Sequence, residues 1–108
     1  MEYAKFEDFK KLDIKIAKIL KVEDHPNADK LYVITVSIGD TEKTIVAGIR
    51  LHYKKEELEG KSVVIINNLE PVTIRGVLSN GMLLASKDEN SLAILVPERN
   101  IKIGSPVS

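Results

Sequence analysis

Apolar and polar residues alternate over much of this chain, which is the pattern of half-buried β-strands. In the segment 14–22, isoleucine, leucine and valine recur at alternate positions, with lysines largely between them. Other β-branched or continuous apolar runs predict strands over 31–38, 43–47, 61–67, 81–86 and 92–96. Turn-forming Gly, Pro, Asn and Asp separate many of these runs. The pattern therefore predicts an all-β protein with five or six short strands.

Two short segments carry a helical pattern instead. Phe6, Phe9 and Leu12 recur at intervals of three, which predicts a helical turn that packs on the core. The segment 53–58 is helix-prone and lies between the third and fourth strands. A β-sandwich rarely has a helix there, so we expect an OB-fold: a five-stranded Greek-key barrel with a short helix between strands 3 and 4 and small terminal elements. The alternating tail 101–107 is expected to pack on the barrel or across a partner.

Composition narrows the protein class. The 108 residues suit one domain, 1–108, and include no cysteine and only two histidines. Disulfides and thiolate metal sites are thereby excluded, and a zinc site is improbable. No apolar run approaches the roughly 18 residues of a membrane span, and the N-terminus is not a signal peptide. We expect a cytoplasmic protein without metal, cofactor or membrane partner.

The net charge is zero, with 16 basic and 16 acidic residues. This balance argues against sequence-independent binding of nucleic acid, which depends on neutralising phosphates. The charges are nevertheless unevenly distributed along the chain. The basic residues cluster at Lys5, Lys10, Lys11, Lys15, Lys18 and Lys21, and at Arg50, Lys54, Lys55 and Lys61. Such charge runs usually form no more than a solvated face.

No catalytic pattern is present. Gly60-Lys61-Ser62 resembles the end of a phosphate-binding loop, but the required earlier glycine is replaced by Lys55 and a strand follows. There is no Gly-x-Ser-x-Gly elbow and no cysteine to serve as a nucleophile. The sequence does not predict an enzyme.

Two polar segments interrupt the strand pattern. The first is His-Pro-Asn-Ala-Asp-Lys-Leu over 25–31; the second begins with Asn-Leu-Glu-Pro at 68–71 and continues through Arg75-Gly76 to Ser-Asn-Gly-Met-Leu-Leu-Ala over 79–85. In this order and spacing they resemble the signature of the tRNA-binding domain of methionyl-tRNA synthetases, which occurs at their C-terminus or as a separate β subunit. Stand-alone bacterial tRNA-binding proteins and the endothelial monocyte-activating polypeptide group share it. The resemblance extends from about Phe6 to Ser108.

The resemblance implies non-catalytic, structure-dependent binding of tRNA at the barrel groove. It assigns the contacts to five residues: Asn27, Lys30, Arg75, Ser79 and Met82. An amide and an ammonium at a loop exit can meet a phosphate or a base edge. Met82 suits packing against an unstacked base, although from the residues alone a core position is equally expected. The other polar residues of the first segment are expected to shape its turn.

This chain departs from many of these relatives, because Arg75 is the only cation in the segment 72–80 that directly follows the Asn-Leu-x-Pro motif. Exposed aromatic residues for stacking are also sparse, with Tyr32 and Tyr53 as the candidates. We therefore expect recognition of tRNA shape and backbone rather than of a single-stranded sequence.

The resemblance also implies a homodimer and a separate catalytic methionyl-tRNA synthetase chain as a possible partner. Apolar residues near both ends give the dimer a physical reason: Phe6, Phe9, Ile101, Ile103 and Val107. Two alternatives stay open. One is a dimeric protein-binding module similar to the export chaperones that share this barrel, and those relatives lack the 25–31 motif. The other is an OB-fold barrel of unrelated ancestry.

Overall fold

Five antiparallel strands wrap into a nearly closed barrel in the computed structural model, which describes all residues from Met1 to Ser108. The elements are α1 (Phe6–Lys10), β1 (Ile14–Asp24), β2 (Tyr32–Ser37), β3 (Glu42–Ala47), α2 (Lys55–Leu58), β4 (Ser62–Ile66), β5 (Val72–Ile74), β6 (Val77–Ser79), β7 (Met82–Leu83), β8 (Ala85–Lys87) and β9 (Leu92–Ile94). The main sheet has the order β3-β2-β1-β4-β7. Since β4 returns beside β1, this is a Greek-key arrangement. The predicted all-β barrel, with a helix between its third and fourth strands, is confirmed.

The barrel closes along a seam where β3 meets the ends of β6 and β7. The Asn80 N–H donates to the Thr44 carbonyl at 2.8 Å, and the Val46 N–H donates to the Ser79 hydroxyl oxygen at 2.9 Å. Next to the seam, Gly81 permits a close approach to β4: its φ is +117°, and a Cβ there would lie 3.0 Å from the Ile66 carbonyl oxygen. A side-chain hydroxyl thus replaces a backbone acceptor at the seam.

The core is built from aliphatic side chains inside the barrel. Its fully buried members include Ile19, Ile34, Ile45, Leu58, Ile65, Val36 and Val63. The register of β1 shifts between Ile19 and Lys21, so Ile19 and Val22 enter the core while Leu20 is 40% exposed. The period of two expected through 14–22 is therefore broken by this irregularity, which the alternation alone does not reveal.

Helix α1 forms where it was predicted but does not pack on the core. None of its residues is buried, and Phe6 is 73% exposed. The barrel interior is already filled by strand residues, so the Phe6 and Phe9 rings lie outside it with their centroids 6.3 Å apart. The C-terminal end of α1 is held by Asn68, whose amide donates to the Lys11 carbonyl at 2.7 Å.

Two further elements differ from the sequence expectation. The second polar segment, which interrupts the predicted strand pattern, forms the antiparallel hairpin β5–β6 after Pro71. The expected strand 81–86 is interrupted at Leu84: β7 pairs with β4, whereas β8 pairs with β9. The tail packs on the barrel, since the Val107 N–H donates to the Ile14 carbonyl at 2.8 Å. Neither helix is long and apolar enough to cross a membrane.

A polar cluster ties the start of β1 to β3 and to the end of β4. The Lys43 ammonium donates to the Asn67 side-chain oxygen at 2.7 Å, and the Asn67 amide donates to the Asp13 carboxylate at 2.9 Å. Burial lowers the pKa of Lys43 below the ordinary value of a lysine; the charge of Asp13 opposes this effect and that of Lys15 adds to it.

The seam predicts a structural cost for Ser79→Ala. The variant leaves the buried Val46 N–H without its acceptor, so the free energy of unfolding should fall by about 1–3 kcal/mol. Urea unfolding measures this, with Ser86→Ala on exposed β8 as the matched control. Equal stability of the two variants would show that the hydroxyl does not hold the seam.

Lys43 predicts a pH dependence of stability. Its pKa in the folded protein lies below the unfolded value of about 10.4, so between these values the unfolded chain binds more protons. The free energy of unfolding then rises with pH through this window, and Lys43→Met removes the rise. Urea unfolding of both proteins from about pH 8 to about pH 11 should show the parent gaining relative to the variant. A constant or decreasing difference contradicts the prediction.

Candidate nucleic-acid interface

The 25–31 segment is a loop closed on itself and anchored through His25. The His25 N–H donates to the Leu31 carbonyl at 3.1 Å, and the imidazole is only 3% exposed. The Asn27 N–H donates to His25 Nδ1 at 3.0 Å, so Nδ1 is an acceptor and the ring proton is on Nε2. Nε2 therefore donates to the Ile74 carbonyl at 2.9 Å. One buried ring connects the loop to the hairpin β5–β6.

Asn27 and Arg75 form a second, reciprocal connection. The Asn27 amide donates to the Arg75 carbonyl at 3.1 Å, and the Arg75 guanidinium donates to the Asn27 carbonyl at 3.0 Å. Arg75 and Gly76 are the two central residues of the hairpin turn, with φ of +51° and +93°, as a type I′ turn requires. The left-handed conformation costs Arg75 about 1–2 kcal/mol, a strain that glycine largely avoids.

These connections create a hollow of about 500 Å³, here called the loop hollow. It is lined by Asn27, Ala28, Asp29, Lys30, Leu31 and Arg75. Three of the five predicted contact residues are thus brought together from two distant parts of the sequence. Lys30 is exposed and has no hydrogen-bond or ion-pair partner, which leaves its ammonium free for an anion. A lysine and an arginine fork on one surface can bind phosphate oxygens.

Arg50 supports the same loop, and sequence reasoning did not place it in the site. Its guanidinium donates to the Ala28 carbonyl at 3.2 Å and lies 3.4 Å from the Asp24 carboxylate. Lys55 lies 3.3 Å from the same carboxylate oxygen. In the sequence Arg50 belonged only to a local group of cations, and no signal indicated this contact.

The other two predicted residues line a second hollow of about 410 Å³, here called the apolar hollow. Its wall is mostly aliphatic and includes Ile49, Leu69, Val72, Ile74, Met82 and Leu92. Met82 pairs with Ile66 across β7 and β4, whereas the neighbouring Leu83 packs against the core. Because successive strand residues face opposite sides, Met82 points away from the core and is 45% exposed. The alternative of a core position for Met82 is therefore wrong.

Ser79 lies at the floor of the apolar hollow and is only 2% exposed. Its hydroxyl accepts from the Val46 N–H and donates to the Gly81 carbonyl at 3.3 Å. A direct contact between Ser79 and RNA stays a prediction, and it requires these hydrogen bonds to be exchanged.

The hairpin β5–β6 stands between the two hollows, because Ile74 lines the apolar hollow and Arg75 lines the loop hollow. No aromatic side chain lines either one. The expectation that Tyr32 is exposed for stacking is wrong: it is buried and its hydroxyl donates to the Tyr53 carbonyl at 2.6 Å. The Tyr53 hydroxyl accepts from the Ile94 N–H at 3.2 Å. These surfaces can offer cations and aliphatic contacts rather than ring stacking.

The chain can now be compared with known protein families. Residues 14–106 match the family model described as "Putative tRNA binding domain". The match covers most of the chain, and the chain belongs to this tRNA-binding domain family.

Among curated relatives, the chain resembles methionine–tRNA ligases. It is 53% identical over 107 residues to that of Pyrococcus horikoshii and 56% identical over 100 residues to that of Nanoarchaeum equitans. The alignments cover 99% and 93% of this chain but only 15% and 13% of the two ligases. The chain therefore corresponds to a small part of these enzymes.

Solved structures show the same relationship. A MetRS related protein from Pyrococcus horikoshii superposes with a TM-score of 0.93 and 32% identity, and the match covers 100% of both chains. The chaperone CsaA from Bacillus anthracis superposes with a TM-score of 0.89 and 27% identity over 99% of this chain and 100% of the chaperone. The resemblance to the methionyl-tRNA synthetase family is confirmed.

Proposed function

We propose that this chain is a non-catalytic tRNA-binding module that serves as a β subunit or accessory domain of methionyl-tRNA synthetase. The observation that carries the proposal is the loop hollow, where Asn27, Lys30 and Arg75 are held on one surface. Membership of the tRNA-binding domain family supports it. The alignment covers 15% of a ligase, and within this proposal methionine activation and transfer take place outside the module. Such a role places the protein in the cytoplasm.

Within this proposal the two hollows have different tasks. Lys30 and Arg75 bind phosphates of the tRNA backbone, and Asn27 holds the loop that carries Lys30. Met82 offers a polarizable aliphatic surface to a ribose or an unstacked base beside the hairpin. The net charge of zero leaves little long-range attraction for random nucleic acid. Selectivity then depends on the folded shape of tRNA.

The proposed assembly is a homodimer. Exposed apolar side chains at both ends support it, above all Phe6, Phe9 and Ile101. The two ends of the chain meet at the start of β1, since Val107 is hydrogen-bonded to Ile14 just after α1. An apolar surface built from both termini is best covered by a second copy.

A second candidate function is binding of apolar protein segments. The aliphatic wall of the apolar hollow and the likeness to the chaperone CsaA favour it. The free ammonium of Lys30 in the loop hollow favours tRNA instead. Separate titrations distinguish the two functions, since one predicts binding of tRNA and the other binding of an unfolded apolar polypeptide. Competition then shows whether both ligands occupy the hairpin surface.

Binding should require folded tRNA and should depend modestly on salt. Few cations line the hollows, so log affinity should fall against log salt with a shallow slope, about one unit per neutralised phosphate. Titration with tRNA, single-stranded RNA of equal length and duplex RNA at several salt concentrations measures this. Equal affinity for the unstructured RNA contradicts shape recognition.

The variants Lys30→Ala and Met82→Ala should weaken binding in distinguishable ways. Lys30→Ala removes a phosphate contact, so it should also flatten the salt slope by about one unit. Met82→Ala removes apolar contact and should leave the slope unchanged. Both residues are exposed, so thermal melts should match the parent. Lys87→Ala, outside both hollows, is the control; if neither site variant binds more weakly than it does, the site is misassigned.

Sedimentation equilibrium at micromolar concentration should give about twice the chain mass. The double variant Phe6→Ser with Phe9→Ser should shift the protein toward monomer, because it removes the largest exposed apolar side chains of α1. Leu78→Ser, at an exposed apolar residue of β6, is the control. A monomeric parent excludes the homodimer.

A further inference from the structure

His25 is a buried ring whose two nitrogens serve two different segments. Nδ1 accepts from the Asn27 N–H inside the 25–31 loop, and Nε2 donates to the Ile74 carbonyl on the hairpin β5–β6. The ring itself lines neither hollow. It therefore cannot touch an RNA that occupies them, but it lies between the segments that carry Lys30 and Arg75.

We propose that His25 is a positioning residue for RNA binding, which acts through Asn27 and Ile74 to hold Lys30 and Arg75 on one surface. The inference rests on the proposed tRNA-binding function, and it identifies a residue that affects RNA binding without touching the RNA.

Lys30 and Arg75 lie on two separate segments that project from the barrel. Lys30 lies on the loop between β1 and β2, and Arg75 is at the tip of a hairpin outside the five-stranded sheet. Four hydrogen bonds hold these segments together. His25 makes two of them, one within its loop and one to the hairpin, and Asn27 and Arg75 form the reciprocal pair. Two cations that must meet neighbouring phosphates bind more tightly when their spacing is fixed beforehand.

The hydrogen bonds of the buried His25 ring contribute more to this positioning than the exposed bonds between Asn27 and Arg75. The Asn27–Arg75 bonds are open to water, which competes for the same donors and acceptors. Incoming phosphates also compete for the Arg75 guanidinium. The His25 bonds are shielded, since the ring is almost wholly buried, so they remain when Arg75 turns to RNA.

Two substitutions separate the two bonds of the ring. His25→Asn places an amide oxygen near the position of Nδ1, so it can keep the Asn27 bond but does not reach Ile74. His25→Gln places an amide nitrogen near the position of Nε2, so it can keep the hairpin bond. Arg75→Asn removes the guanidinium while suiting the turn, because asparagine is favoured at positive φ.

The experiment measures how much tRNA affinity Arg75→Asn removes in the parent, in His25→Gln and in His25→Asn. Loss of one charge-assisted contact corresponds to a decrease in affinity of about tenfold or more in the parent and in His25→Gln. In His25→Asn, where the bond to Ile74 no longer positions the hairpin, Arg75→Asn should leave the tRNA affinity almost unchanged. Lys87→Ala serves as the charge control in all three backgrounds. It removes a cation outside both hollows, so its effect on tRNA affinity should be the same in each.

The outcomes are distinct. An equal loss from Arg75→Asn in all backgrounds overturns the positioning role and leaves tRNA binding standing. Failure of the parent itself to bind tRNA overturns the proposed function and this inference together. If His25→Asn does not fold, ¹⁵N NMR of the parent imidazole at neutral pH still decides: the proton should be on Nε2, and a proton on Nδ1 in the neutral ring overturns the proposal because Asn27 could not donate to it.

Discussion

The hydrogen bonds at the seam between β3 and the ends of β6 and β7 are the constraint on which the rest of the structure depends. A barrel has no free edges only if its outermost strands satisfy each other's backbone groups. Here Thr44 accepts from Asn80, and Val46 donates to the Ser79 hydroxyl. The seam fixes where β6 ends, and so fixes the hairpin that presents Arg75 to the 25–31 loop. Ser79 thereby contributes to the site through the barrel, whether or not it touches RNA.

Six of the 16 basic residues form ion pairs with nearby carboxylates, whereas Lys30 forms none. Three lysines of the basic cluster near the N-terminus form ion pairs: Lys11 with Asp8, Lys15 with Asp13, and Lys21 with Glu23. In the middle group, Arg50 and Lys55 share Asp24. Exposed pairs of this kind contribute little to stability but screen the cations from phosphate. A neutral chain can therefore still present one cationic surface, provided that its geometry is fixed.

The sequence was sufficient for the barrel, because alternation and turn residues are local signals. The two segments that line the hollows were singled out through their resemblance to the tRNA-binding domain. The sequence was insufficient where the determinant is not local. The turn of β5–β6 is Arg-Gly rather than Asn-Gly, so the hairpin lacked its usual signature. Ser79 belongs to a polar segment, yet a backbone group of β3 draws it into the interior. The role of His25 depends on the carbonyl of Ile74, which no periodicity connects to it.

At Arg75, stability and the proposed function oppose each other. Its left-handed backbone suits asparagine or glycine, and arginine there carries a strain that the fold must hold in place. Part of the holding comes from the guanidinium itself, which donates to the Asn27 carbonyl. That bond keeps the side chain ordered before any phosphate arrives, yet it is weak enough in water to be exchanged for one. A strained arginine in this hydrogen bond is thus a structural link, and within the proposed function the same guanidinium can be released to bind phosphate.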